Sequence, residues 1–101
     1  MRIEHKKLGN TLYVGLAGEL DECAAGEVRE RLDEIVSGSY GRIVFDLAEL
    51  NFMDSTGIGV LIGRYKKLKA RGIPVLLSSP TRSVDRVLSL TGIYEIMPKI
   101  G

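Results

Sequence analysis

The spacing of apolar and polar residues changes several times along the 101-residue chain. Residues 2–7 (RIEHKK) alternate weakly, and after Gly9-Asn10 the run TLYVGLAG places Leu12, Val14 and Leu16 on one face. Two alternating runs around Gly-Asn predict a β-hairpin. From residue 24 to 36 the spacing becomes helical. Ala25, Val28, Leu32, Ile35 and Val36 share a face, while Glu27, Arg29, Glu30, Asp33 and Glu34 fall mostly off it. Gly38 is the expected stop. Residues 42–47 (RIVFDL) form a short, nearly continuous apolar run, the pattern of a strand covered on both faces. A longer helix is predicted from Thr56 to Arg71, with Ile58, Leu61, Ile62, Tyr65 and Leu68 as its stripe. Arg64, Lys66, Lys67, Lys69 and Arg71 crowd its last two turns and read as a solvated face that complements the helix dipole. Gly72 ends it. Pro74 to Leu77 reads as another buried strand. A third helix is predicted from Thr81 to Leu90, with Val84, Val87 and Leu88 inward and Gly92 as its stop. The tail IYEIMPKI adds a short strand.

The order is a β-hairpin followed by alternating helices and strands. It predicts one α/β domain: a mixed four- to five-stranded sheet with helices packed on it. The strands at 11–17, 43–47 and 74–78 are then parallel. The loop with Glu19, Leu20 and Asp21 and the loop from Asn51 to Thr56 emerge at the same edge. In open α/β sheets that edge, beyond the carboxyl ends of the strands, is the usual place for a site.

Composition narrows the chemistry. Fourteen basic residues nearly balance thirteen acidic ones, and a net charge of +1 gives no electrostatic reason to expect a nucleic acid or an anionic membrane as partner. One cysteine, Cys23, allows no intrachain disulfide and no thiolate zinc cluster. His5, the sole histidine, lies near the start, read as an outer strand. No stretch approaches the ~20 apolar residues of a membrane span. MRIEHKKLGN lacks the apolar centre of a signal peptide, so a soluble cytoplasmic protein is expected.

Asn51-Phe52-Met53-Asp54-Ser55-Thr56-Gly57-Ile58-Gly59 carries the most information. The simplest reading is structural: Asp54, Ser55 or Thr56 caps the helix by accepting a hydrogen bond from a free backbone N–H. A second reading is compatible with the first. A hydroxyl in a first helical turn is reachable by a kinase, and the helix N-terminus stabilises the phosphate that results. Gly57, Gly59 and Gly63 give G-x-G-x-x-x-G, one residue too long for a dinucleotide fingerprint and too far from the preceding strand. They read instead as positions that let the helix and a partner surface approach closely. Asp21, just before the first helix, reads as a cap or first-turn acid.

Gly18-Glu19-Leu20-Asp21, Asp46-Leu47, Phe52 to Gly59, and Leu61-Ile62-Gly63-Arg64-Tyr65 together resemble a STAS domain. Within that family they are most similar to the bacterial anti-sigma factor antagonists of the sporulation type. The likeness covers about residues 8–97. It implies that Ser55 is the phosphorylated serine. It also implies that Asp21, Asp54, Thr56, Gly57, Ile58 and Gly59 belong to the partner-binding edge. The implied partners are an anti-sigma factor serine kinase, which the unphosphorylated form binds so that a sigma factor is freed, and a serine phosphatase that resets the switch. No cofactor and no metal is implied, and the chain is a substrate rather than an enzyme. Two departures stand out. Glu22 and Cys23 follow Asp21 where the family often has histidine. The chain also ends at Gly101 where relatives usually continue through one more helix; a single STAS domain over residues 1–101 is expected, with the presence of that helix in the protein left open by the sequence. Two other roles compete. One is a STAS antagonist in a stress-response cascade or a STAS subunit of a transport complex; the phosphoacceptor disfavours the transport role. The other is a small nucleotide-hydrolysing enzyme, disfavoured by the lack of a phosphate loop and a plausible base.

Overall fold

Gly9 adopts φ +59°, the left-handed first position of a type II′ hairpin turn. The turn joins β1 (Arg2–Leu8) to β2 (Thr11–Leu20) in antiparallel register, with Leu8 opposite Thr11 and Arg2 opposite Ala17. The computed structural model describes all residues from Met1 to Gly101. After the hairpin come α1 (Glu22–Ile35), β3 (Arg42–Met53), α2 (Ser55–Ala70), β4 (Val75–Ser78), α3 (Arg82–Thr91), a 3-10 turn (Ile93–Glu95) and β5 (Lys99–Ile100). The five-stranded mixed α/β sheet that begins with a hairpin is the expected class.

Strand order in the sheet is β1-β2-β3-β4-β5, and all pairs after the hairpin are parallel. Three successive crossovers therefore step in the same direction. Right-handed crossovers that do so must all pass over the same face. One apolar cluster accordingly joins Leu12, Val14, Leu16, Phe45 and Leu77 of the sheet to Val28 and Leu32 of α1, Leu61 and Leu68 of α2, and Val84 and Leu88 of α3. The opposite face has no helix. This corrects the expectation that residues 42–47 are covered on both faces. Val44 is buried by its strand neighbours, opposite Tyr13 and Leu76, whereas Asp46 on the same side is exposed.

The elements end close to where the pattern placed them, with local differences. Gly72 and Gly92 both take positive φ at helix ends. Gly38 does not; α1 stops at Ile35 with Val36 as its C-cap. Gly38 serves instead to admit Tyr40, whose Oη would lie 2.6 Å from a Cβ there. Arg71 closes the end of α1 by donating to the carbonyls of Val36 and Gly38. Arg64 corrects the reading of a solvated basic face. It is 6% exposed, and its Nε lies 3.0 Å from Asp33 Oδ1 between α1 and α2. Lys67 reaches the other oxygen of Asp33, also at 3.0 Å. Much of the basic run thus ties α2 to α1.

The largest difference is the length of β2 and β3. They run to Leu20 and Met53, so Glu19, Leu20, Asn51, Phe52 and Met53 lie in strands rather than in loops. Beyond Asp46, β3 has no β4 partner and continues with β2 as a two-stranded extension. Two bulges shape it. Gly15 pairs with Asp46 but Ala17 with Glu49, and Gly18 pairs with Leu50 but Glu19 with Phe52, so β3 holds one extra residue each time. The Asp46 carboxylate accepts from Ala48 N at 3.0 Å within the first bulge. The extra residues explain why burial along β3 steps by two at Ile43, Phe45 and Leu47 and then by three to Leu50 and Met53.

Candidate functional site

The two-stranded extension ends in two helix N-termini side by side. Leu20 is opposite Met53, and the next residue on each strand is an aspartate. Asp21 caps α1, its Oδ1 accepting from Ala24 N at 3.0 Å, and Asp54 caps α2, its Oδ1 accepting from Gly57 N at 3.0 Å. Their backbones match, at φ −117° and ψ −175° for Asp21 and φ −110° and ψ −170° for Asp54. Of the three candidates for capping the second helix, Asp54 does so, and this leaves Ser55 free.

Ser55 is the first residue of α2 and is exposed. The Asp54 side chain satisfies Gly57 N–H, and the Asp54 carbonyl accepts from Ile58 N at 3.1 Å. The N–H groups of Ser55 and Thr56 lie in the part of the first turn that a helix cannot satisfy itself. They are available to an oxyanion on the Ser55 hydroxyl, at the positive end of the helix dipole.

The remaining candidate residues divide by burial. Asp21 and Thr56 are half-buried and Gly59 is exposed, so these three contribute to the surface with Asp54 and Ser55. Gly57 and Ile58 point into the fold; Ile58 is 7% exposed and belongs to the core. Gly57 is where α2 meets β2. A Cβ there would lie 2.6 Å from the Leu20 carbonyl oxygen and 2.8 Å from Met53 Cγ. Their part is to hold the edge from beneath. A Cβ at Gly59 would meet nothing within 4 Å.

The start of α3 joins the same end of the molecule, a contact the sequence pattern did not reveal. Thr81 Oγ1 donates to Leu50 O at 3.0 Å and Ser83 Oγ to Asn51 O at 3.4 Å. These hydroxyls take the place of β4 beside the extended part of β3. The only hint in the sequence is the Ser/Thr content of residues 78–83, an ordinary turn composition.

Comparison with known proteins agrees with this architecture. The STAS domain model matches residues 2–101. The chain belongs to the STAS domain family. Among its relatives are an anti-sigma F factor antagonist of Paenibacillus polymyxa, 36% identical over 97% of this chain and 85% of the relative, and an anti-sigma-B factor antagonist of Bacillus subtilis, 32% identical over 96% and 88%. Among solved structures it resembles the anti-sigma factor antagonist SpoIIAA in its unphosphorylated form, with a TM-score of 0.81 and 27% identity over 99% of this chain and 89% of that one. The phosphorylated form of SpoIIAA, described as a Bacillus cell fate determinant, matches with a TM-score of 0.73 and 26% identity over 99% and 92%. No helix of this STAS domain is long and apolar enough to cross a membrane.

Proposed function

We propose that this STAS domain is an anti-sigma factor antagonist whose binding is switched by phosphorylation of Ser55. The observation that supports it most directly is the placement of the Ser55 hydroxyl. It is exposed at the first residue of α2, and Asp21 caps the helix on the adjacent strand. In this reading the unmodified edge of Asp21, Asp54, Ser55, Thr56 and Gly59 docks on an anti-sigma factor serine kinase, and the sigma factor is released. The kinase transfers a phosphoryl group to Ser55, and a serine phosphatase removes it.

The switch needs no change of fold. Phosphorylation adds about −1.5 to −2 charges at neutral pH. The helix N-terminus accommodates them in the free protein, so the folded state tolerates the modification. In the complex the same charge is desolvated beside Asp54 and Asp21. A penalty of about 3 kcal/mol weakens binding about a hundredfold. The relation to an anti-sigma-B factor antagonist supports a second version, in which the same switch serves a stress-response cascade.

The test is to mix the protein with a purified anti-sigma factor kinase and ATP and locate the phosphate by mass spectrometry. Phosphate on Ser55 is expected. Ser55→Ala should bind the kinase and remain unmodified, and Ser55→Asp should fold but bind at least tenfold more weakly. Modification elsewhere, or Ser55→Asp binding as tightly as wild type, would refute the mechanism.

A further inference from the structure

Phe52 lies three residues before Ser55, on the two-stranded extension, and is 46% exposed. Its neighbour Met53 points to the core, so the Phe52 ring projects from the other, helix-free side of the sheet. Directly opposite it on β2 is Glu19, also exposed. No residue of β4 reaches this level, because β4 pairs with β3 only as far as Asp46. Lone apolar residues on a surface are ordinary. This one, however, is the only aromatic among the large apolar side chains that stand exposed, and it lies on the strand that runs into the Ser55 helix.

The charges around it are mainly acidic. Glu19, Asp21, Glu22 and Asp54 occupy the two strand ends and helix starts, and none forms an intrachain salt bridge. Of the nearby cations, Arg2 is held by Glu4 and Glu49, and Arg82, exposed at the start of α3, is the one basic group set against these four acids. An aromatic side chain inside a polar, mainly acidic rim has the composition of an interface anchor.

We infer that Phe52 is the apolar anchor of the docking edge and that its occupant is a protein surface with an apolar pocket rimmed by arginine or lysine. The inference rests on the reading of the Ser55 edge as the docking edge and adds what the other surface must supply.

The experiment measures affinity of a purified anti-sigma factor kinase for wild type, Phe52→Ala and Glu19→Lys, with Ser55 phosphorylation followed in parallel. Wild type that is phosphorylated on Ser55 and binds establishes the underlying reading independently of Phe52. Phe52→Ala should then lose about tenfold or more in affinity with an unchanged melting temperature. Glu19→Lys should slow association and lose the salt dependence of binding. Phe52→Ala binding within twofold of wild type would overturn the inference and leave the Ser55 switch intact. So would loss of self-association in place of kinase binding, seen by sedimentation, because the occupant would then be a second copy of this chain.

Discussion

Gly57 and Gly59 stand two residues apart on α2, and alanine at the two positions should act in opposite directions. In a helix interior alanine is favoured over glycine by about 1 kcal/mol. At Gly59 nothing lies within 4 Å of the added carbon, so most of that gain should appear. At Gly57 the new methyl would lie 2.6 Å from the Leu20 carbonyl oxygen, 2.8 Å from Met53 Cγ and 2.9 Å from Leu20 Cγ. The carbonyl is part of the β2 backbone and cannot rotate away, and both side chains are buried. Helix α2 must back off from the strand, and overpacking against an unyielding backbone atom costs about 2–3 kcal/mol, the upper part of the usual range. The propensity gain is smaller than that cost, so the net change is destabilising by about 1–2 kcal/mol. In a domain of this size 1 kcal/mol moves the melting temperature by roughly 4–8 °C. Thermal melts followed by circular dichroism should therefore show Gly59→Ala a few degrees above wild type and Gly57→Ala about 4–15 °C below it. The displaced first turn should also slow phosphorylation of Ser55 in the Gly57 variant. If Gly57→Ala were as stable as wild type, the close approach of α2 to β2 would not be what positions the serine.

Two further predictions concern the ion pairs. Arg64 is buried with Asp33, yet neither its Nε nor its Nη1 completes a well-aligned hydrogen bond. Its aliphatic stem then contributes more than its charge. In urea unfolding Arg64→Met should lie within about 1 kcal/mol of wild type, whereas Arg64→Ala should lose about 2–4 kcal/mol; equal losses would mean that the charge is essential. Asp85 on α3 accepts from Tyr94 Oη at 2.5 Å and Lys99 Nζ at 3.1 Å, and the first of these contacts, then the second, holds its carboxyl below the ordinary range. Burial, followed by the bond to Asp85, pushes the Tyr94 phenol above its own ordinary range. A depressed carboxylate contributes stability that is complete above its unfolded value near 4 and lost as pH falls through the lower folded value. Tyr94→Phe should raise the Asp85 titration midpoint, read by NMR, and shift acid unfolding to higher pH. An unmoved Asp85 midpoint would sink the assignment.

Much of the fold is legible in the sequence because the periods are clean. Leu12, Val14 and Leu16 alternate as a half-buried strand must, and Gly72 and Gly92 end helices with positive φ. The extension of β3 is hidden for a physical reason. Two bulges change its spacing from two to three, so Leu50 and Met53 no longer read as strand positions. The open face of the sheet is hidden in Val44, whose burial comes from neighbouring strands and not from a covering helix. Arg64 defeats the pattern differently, since a guanidinium can be buried when a carboxylate faces it, and nothing local marks which member of a basic run has that partner. At the site the motif marks Ser55 and both aspartates. It does not separate half-buried Thr56 and exposed Gly59 at the surface from Gly57 and Ile58 beneath, because that division depends on how α2 leans on β2.

The direction of the outermost strands has a practical consequence. Because β1 is antiparallel to β2 and β5 parallel to β4, Met1 and Gly101 both lie toward the end of the sheet that carries the serine. A Cβ on Gly18 would meet Met1 Cα at 3.6 Å, and Gly101 O accepts from Ser79 N at 3.1 Å. An affinity tag or fused domain joined at Met1 or at Gly101 would begin beside the proposed docking edge and shield it. A label placed in the Gly9-Asn10 turn would sit at the far end of the molecule and leave that edge clear.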